Sequence, residues 1–111
     1  MLEPLPVTAP WRHPHTRSSF HLYVIQLDRT QAIPHRRAVF EALRAGGIGV
    51  NVHYIPVHLQ PDFRDLGFNE GDFPLAEAYY REAISLPLYP GLTEADQDRV
   101  VATLRSALER D

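Results

Sequence analysis

The ten proline residues constrain the fold of this chain more than any other feature of its sequence. Proline fixes the backbone φ angle and cannot donate a hydrogen bond, so it is excluded from helix interiors and from central strands. Four of the ten lie within residues 1–18, which show neither a helical nor a strand-like hydrophobic period. We therefore expect residues 1–18 to form an extended lead-in or linker, and residues 19–111 to form the folded domain.

Beyond residue 18 the hydrophobic pattern alternates between strand-like and helical segments. Runs of β-branched and aromatic residues favour strands, whereas apolar residues spaced three and four apart favour helices. These signals predict strands over residues 20–27, 48–54 and 85–90, helices over 34–45, 74–83 and from 93 to the end, and a loop over 55–73 with one helical turn near 62–66. The predicted fold class is α/β, an α+β sandwich in which helices pack against a small mixed sheet.

Three local signals refine this interpretation. The glycine pair at 46–47 is typical of a helix C-terminus, and Thr93 followed by Asp96 resembles a capping box. Pro87 cannot donate to a neighbouring strand, so the segment 85–90 is expected at the edge of the sheet. The predicted order of elements is β-α-β-loop-α-β-α.

Composition and charge exclude several classes of partner. The chain has 111 residues, of which 44% are hydrophobic and 23% charged, values typical of one globular domain. Its formal net charge of −3 argues against nucleic-acid binding, which requires clustered positive charge. No apolar run approaches the ~20 residues of a membrane span, and the N-terminus lacks the pattern of a signal peptide. We expect a cytoplasmic protein without nucleic-acid or membrane partners.

Two residue types, cysteine and lysine, are absent from the sequence, and all eleven basic residues are arginine. Without cysteine the chain can form no disulfide, no thiolate nucleophile and no cysteine-based zinc site. A guanidinium group cannot form the imine through which lysine binds carbonyl compounds. Lysine-dependent covalent catalysis is therefore excluded for the side chains of this polypeptide.

The histidines and serines do not form a metal or hydrolase motif. His53 and His58 lack the spacing of metal ligands on a helix or a strand. Ser85, His53 and Asp72 offer the residue types of a hydrolytic triad, but no G-x-S-x-G turn accompanies them. The glycine cluster at 46–49 follows a helix, whereas a phosphate loop precedes one. We expect no catalytic residue and no metal ligand in the chain.

The polar face of the predicted second strand is the remaining candidate site. Alternation places Ile48, Val50 and Val52 on one face and Gly49, Asn51 and His53 on the other. Histidine and asparagine both donate and accept hydrogen bonds, and Tyr54 adds a ring with a polar tip. This inventory suits contact with a sugar or a nucleotide. It also suits an ordinary solvent-facing strand, and the residues alone leave both interpretations open.

Two long segments carry a resemblance to a known family. GIGVNVHYIPVHLQP (47–61) and DFPLAEAYYREAISLPLYPGLTEADQDRVV (72–101) resemble the C-terminal domain of the DegT/DnrJ/StrS family of pyridoxal-phosphate (PLP) sugar aminotransferases. Within the family, HYIPVHLQP and the strand FHLYVIQL (20–27) are most similar to the transaminases of pseudaminic acid biosynthesis. The resemblance covers roughly residues 10–110.

The resemblance implies the small domain of a fold-type-I enzyme, usually a homodimer, whose large domain carries the PLP-binding lysine. It implies that Asn51, Val52, His53 and Tyr54 contact a UDP-linked keto sugar, with Val52 contributing through its backbone. In the intact enzyme glutamate would load the cofactor, and C4 of a UDP-4-keto-6-deoxy-N-acetylhexosamine would be aminated. Because the lysine is missing, the isolated chain is expected to bind no PLP. It is expected to be inactive without a large domain or a second subunit.

Three hypotheses about the chain follow. The first is a natural or engineered fragment of such an aminotransferase. The second is a free-standing, non-catalytic binding or assembly module that pairs with an aminotransferase subunit. The third is a small α/β regulatory domain unrelated to PLP enzymes.

Overall fold

The computed structural model describes residues 1–110, which form three strands and four helices. The strands are β1 (Val7–Thr8), β2 (Tyr23–Leu27) and β3 (Ala83–Leu86), and the helices are α1 (Arg36–Ala45), α2 (Pro61–Asp65), α3 (Pro74–Glu82) and α4 (Glu94–Leu108). A 3-10 turn at Val57–Leu59 precedes α2. The predicted fold class, helices packed on a small sheet, is confirmed, and each predicted helix is present within a few residues of its expected bounds.

The sheet has the order β1-β2-β3, and both strand pairs are antiparallel. The sheet is thus antiparallel where the sequence predicted mixed strand directions. Ile25 of β2 lies opposite Ile84 of β3, and Val24 lies opposite Ser85. Because directly opposite residues share a face, the two isoleucines lie on one face and Val24 and Ser85 on the other.

The hydrophobic core lies on the isoleucine face of the sheet, where α1 packs against α4. Its largest fully buried side chains are Ile25, Leu27, Val39, Leu43, Val50, Ile84 and Leu104. The predicted capping box begins α4: the hydroxyl of Thr93 accepts a hydrogen bond from the N–H of Asp96, and the Asp96 carboxylate accepts one from the N–H of Thr93, each at 3.1 Å. None of the helices within residues 1–110 is long and apolar enough to cross a membrane.

Residues 48–54 do not form the predicted second strand. Only Asn51 pairs with the sheet: its N–H donates to the carbonyl of Ser85 at 3.2 Å, and its carbonyl accepts from the N–H of Ser85 at 2.8 Å. The next hydrogen-bonded positions of an antiparallel ladder would face Pro87 and Ala83. Pro87 has no N–H, and the N–H of Ala83 is already used by the last turn of α3. Pairing is therefore limited to one residue.

The third strand begins and ends earlier than predicted, at Ala83–Leu86 instead of residues 85–90. Helix α3 leads into it without an intervening loop. All four of its residues are buried, since β2 lies on one side and Asn51 bridges to it on the other. The strand lies at an edge of the three-stranded sheet, as Pro87 predicted, and the single bridge from Asn51 covers part of its outer side.

The first eighteen residues contribute a strand that their sequence pattern did not predict. Val7 and Thr8 pair with the end of β2, and the N–H of Asp28 donates to the carbonyl of Pro6 at 2.9 Å. Leu2, Leu5 and Val7 pack against the core. A strand of two residues is too short to show alternation, which explains why its pattern did not reveal it. A domain boundary at residue 18 stays a prediction.

Candidate functional site

The predicted site residues lie beside β3, and two of them, Asn51 and His53, lie on the sheet face that carries Ser85. Asn51 is exposed, Val52 and His53 are half-buried, and the side chain of Tyr54 is 68% exposed. The predicted alternation therefore holds at the start of the segment and weakens towards its end, where the chain leaves the sheet. The single bridge between Asn51 and Ser85 keeps the polar side chains next to β3.

The imidazole of His53 is held by a serine from β3. Its Nδ1 lies 2.8 Å from Oγ of Ser85, a residue that is only 4% exposed. The ring also packs edge-on against Tyr54, with ring centroids 4.5 Å apart, and the peptide bond that joins these two residues is cis. The other ring nitrogen of His53, Nε2, makes no hydrogen bond to any of residues 1–110. The imidazole of His53 is thus in contact with a serine hydroxyl on one side and with the phenol ring of Tyr54 on another.

A small cleft of about 180 Å³ opens beside these groups. Its lining comprises His21, Leu22, Gly49, Asn51, His53, Ser85, Leu86, Pro87 and Leu88. A Cβ added at Gly49 would meet no atom within 4 Å, so the cleft is open on that side. Pockets for complete small-molecule ligands commonly measure about 300–1,000 Å³. The cleft is therefore smaller than a complete ligand pocket and could enclose only part of a ligand.

A larger cleft of about 590 Å³ lies between the N-terminal segment and α4. Its lining is mostly apolar and includes Leu2, Val7, Tyr23, Leu86, Val100 and Val101. None of the four predicted site residues belongs to it.

Ser85, His53 and Asp72 offered the residue types of a hydrolytic triad, and the structure brings only two of them into contact. His53 contacts Ser85, but the carboxylate of Asp72 instead accepts a hydrogen bond from the N–H of Asn69 at 2.7 Å. Within residues 1–110, no hydrogen bond joins Asp72 to His53. Ser85 is also only 4% exposed, and without a carboxylate on His53 the arrangement does not support nucleophilic catalysis.

A buried pair that the sequence reasoning missed joins the long loop to α3. Nε2 of His58 lies 3.2 Å from the carboxylate of Glu77, and both residues are buried. The same carboxylate accepts hydrogen bonds from the N–H groups of Gly71 at 2.9 Å and Phe73 at 3.3 Å. The bond from Gly71 is the main cause that lowers the pKa of Glu77, with burial opposing it and His58 adding to it. The only feature of the sequence that could have indicated this pair was an acidic residue in the first turn of a predicted helix.

The sequence profile of the DegT/DnrJ/EryC1/StrS aminotransferase family matches residues 2–105. The chain belongs to this family. Among its relatives, the spore coat polysaccharide biosynthesis protein SpsC of Bacillus subtilis is 39% identical over 102 residues, which are 90% of this chain and 26% of SpsC. This family member therefore spans about a quarter of the length of the curated relatives that it matches.

Solved aminotransferase structures share the fold. DesV of S. venezuelae, solved in complex with a ketimine intermediate, matches with a TM-score of 0.84 and 33% identity over 99% of this chain and 29% of DesV. Helicobacter pylori PseC, an aminotransferase involved in the biosynthesis of pseudaminic acid, matches with a TM-score of 0.69 and 26% identity over 80% of this chain and 24% of PseC. The predicted family is confirmed, while the likeness to PseC is weaker than the likeness to DesV.

The PLP cofactor of this family does not fit the residues of this chain. Covalent attachment of PLP through an imine requires a lysine, and all eleven basic side chains are arginines. The side chains that line the small cleft are a poor substitute, because imidazole, amide and hydroxyl groups form no such imine. We therefore assign no step of cofactor chemistry to this polypeptide.

Proposed function

We propose that this chain is the substrate-side small domain of a PLP-dependent nucleotide-sugar aminotransferase. The proposed reaction aminates C4 of a UDP-4-keto-6-deoxy-N-acetylhexosamine with glutamate as the amino donor, as in pseudaminic acid biosynthesis. Family membership and the likeness to PseC support this reading. A large domain, or the second subunit of a homodimer, supplies the lysine and PLP, and the chain alone is inactive.

Asn51 and His53 line the small cleft, and the ring of Tyr54 packs against His53; this arrangement is the observation that carries the proposal. Their amide, imidazole and phenol groups donate and accept hydrogen bonds, as recognition of sugar hydroxyl, acetamido and phosphate oxygens requires. Val52 contributes through its backbone. A cleft of about 180 Å³ is too small for a whole UDP sugar, so the remaining contacts come from the other domain.

A free-standing assembly module is the second candidate, and exposed apolar side chains favour it. Large hydrophobic residues are exposed throughout the loop and the start of α3: Tyr54, Ile55, Val57, Phe63, Leu66, Phe68, Phe73 and Leu75. Single exposed hydrophobic residues are normal, but such a concentration is typical of an interaction surface. In this reading the loop surface pairs with an aminotransferase subunit, and the chain itself binds no sugar.

NMR titration of the purified chain with UDP-N-acetylglucosamine distinguishes the two candidates. We expect the backbone amide signals of residues 51–54 to shift, with a Kd on the order of 1 mM because most of the contact surface is absent. Asn51→Ala should raise this Kd about fivefold, the effect of one hydrogen bond. Asn69→Ala, which removes an exposed amide outside the cleft, is the matched control and should leave the Kd unchanged.

Two results would count against the sugar-binding role. Shifts confined to residues away from the cleft would place the site elsewhere. An absence of any shift, combined with comigration of the chain and a lysine-containing aminotransferase subunit in gel filtration, would instead favour the assembly module.

A further inference from the structure

We propose that the buried hydroxyl of Ser85 holds His53 in the tautomer that carries its proton on Nε2, so that the ring presents an N–H donor to the small cleft. Ser85 is then a positioning residue that acts through His53. The identity of the ligand rests on the proposed function, whereas the tautomer itself does not.

The surroundings of Ser85 leave its hydroxyl with one partner. The backbone N–H and carbonyl of Ser85 are both bonded to Asn51, at 2.8 and 3.2 Å. Its Oγ lies 2.8 Å from Nδ1 of His53 and makes no second hydrogen bond within residues 1–110. Ser85 lines the small cleft but is only 4% exposed, so its hydroxyl meets little solvent and His53 is its hydrogen-bond partner within residues 1–110.

The two neutral tautomers of His53 differ in whether the hydroxyl proton of Ser85 has an acceptor. If Nδ1 carried the proton, it would donate to Oγ, and the buried serine proton would have no acceptor among the described residues. A buried donor without a partner disfavours that state by about tenfold or more. If Nε2 carries the proton, the hydroxyl donates to Nδ1, and both groups are satisfied.

This assignment has a consequence for recognition. An N–H donor at the cleft favours an acceptor oxygen of the ligand, such as that of a hydroxyl, carbonyl or phosphate group. Asn51 lines the same cleft and supplies both donors and an acceptor. The N–H donor of His53 therefore restricts a nucleotide sugar in the small cleft to orientations that place an acceptor oxygen next to Nε2.

The tautomer can be measured directly from the ring nitrogen shifts of histidine by ¹⁵N NMR at about pH 8.5, where imidazole is neutral. The His53 signals are assigned by their loss in His53→Gln. In the wild-type chain we expect the Nε2–H form to exceed the Nδ1–H form about tenfold. Ser85→Ala should lower this ratio several-fold, and Ser85→Thr, which keeps the hydroxyl, should restore it. Ser106→Ala removes an exposed serine of α4 and should leave the ratio unchanged.

A wild-type ring protonated on Nδ1 would overturn the inference, whether or not Ser85→Ala folds. An unchanged ratio in a folded Ser85→Ala chain would overturn it as well. A fixed Nε2–H tautomer without any response to UDP-N-acetylglucosamine would contradict the proposed function and leave the tautomer assignment standing. The two ideas therefore fail separately.

Discussion

At the scale of single residues, the tertiary surroundings decide the role of a side chain more than its type does. His53 and His58 are close in sequence, yet His53 lines a cleft whereas His58 is buried against Glu77. Within residues 1–110, Nε2 of His53 makes no hydrogen bond. Their partners, Ser85 and Glu77, lie 32 and 19 residues further along the chain. Spacing between the two histidines therefore carried no information about either role.

Leucine positions give a quantitative test of burial. Leu104 of α4 is 0% exposed and Leu75 of α3 is 87% exposed. Leu104→Ala should lower the free energy of unfolding by about 2–5 kcal/mol, because it removes buried surface and leaves a cavity. Leu75→Ala, the same substitution at the surface, should change it by about 0.5 kcal/mol or less. Urea unfolding followed by circular dichroism measures both, and equal losses would contradict the described core.

At the scale of elements, buried hydrogen bonds tie the loop 55–73 to α3. The carboxylate of Glu77, in the first turn of α3, accepts from the N–H groups of Gly71 and Phe73. The ring of Phe73 in turn packs edge-on against His58, with centroids 4.8 Å apart. Since α3 continues directly into β3, the same contacts connect the loop to the strand that holds the candidate site.

The lowered pKa of Glu77 makes this connection sensitive to acid. A carboxyl whose folded-state pKa lies below its ordinary value of 4.5 stabilises the fold above about pH 4.5, and this contribution is lost as the pH falls through the folded-state pKa. Glu77→Gln should therefore lower the urea midpoint at neutral pH and make stability fall less steeply below about pH 4.5. The control is Glu109→Gln, which replaces an exposed carboxylate. Parallel acid profiles for wild type and Glu77→Gln would contradict this account.

At the scale of the whole molecule, one face of the sheet supports the hydrophobic core and the other carries the candidate site. One face carries Ile25 and Ile84 and is covered by the core helices, which give the chain its stability. The other face carries Ser85, against which Asn51 and His53 are held. That face also carries the open small cleft, and the sugar-binding role that we propose for it depends on contacts from the rest of the aminotransferase.

The missing lysine gives a test for the molecule as a whole. Incubation of the purified chain with PLP, followed by borohydride reduction and peptide mapping, should place no pyridoxyl group on any side chain. The chain alone should also transfer no amino group from glutamate to a keto sugar. A lysine-containing aminotransferase treated in parallel is the positive control. A modified side chain, or amino transfer by the pure chain, would refute the proposed division of labour.

The sequence by itself determined the features that depend on neighbours in the chain. Helices α1 to α4, the capping box at Thr93 and the burial of Val50 beside an exposed Asn51 were all predictable, because propensity, capping and alternation act over a few residues. The absence of lysine, and with it of imine chemistry, was equally plain. The family resemblance was also visible in the sequence, because it is carried by two long continuous segments, residues 47–61 and 72–101.

Only the tertiary structure decided which segments meet. Residues 48–54 have the pattern of a strand, but Pro87 and the end of α3, both far along the chain, limit their pairing to Asn51. Ser85 and Glu77 likewise acquire their roles from histidines in a distant segment. Hydrogen-bond partners across the fold depend on register and on which donors are already used, and neither quantity is encoded in a local pattern.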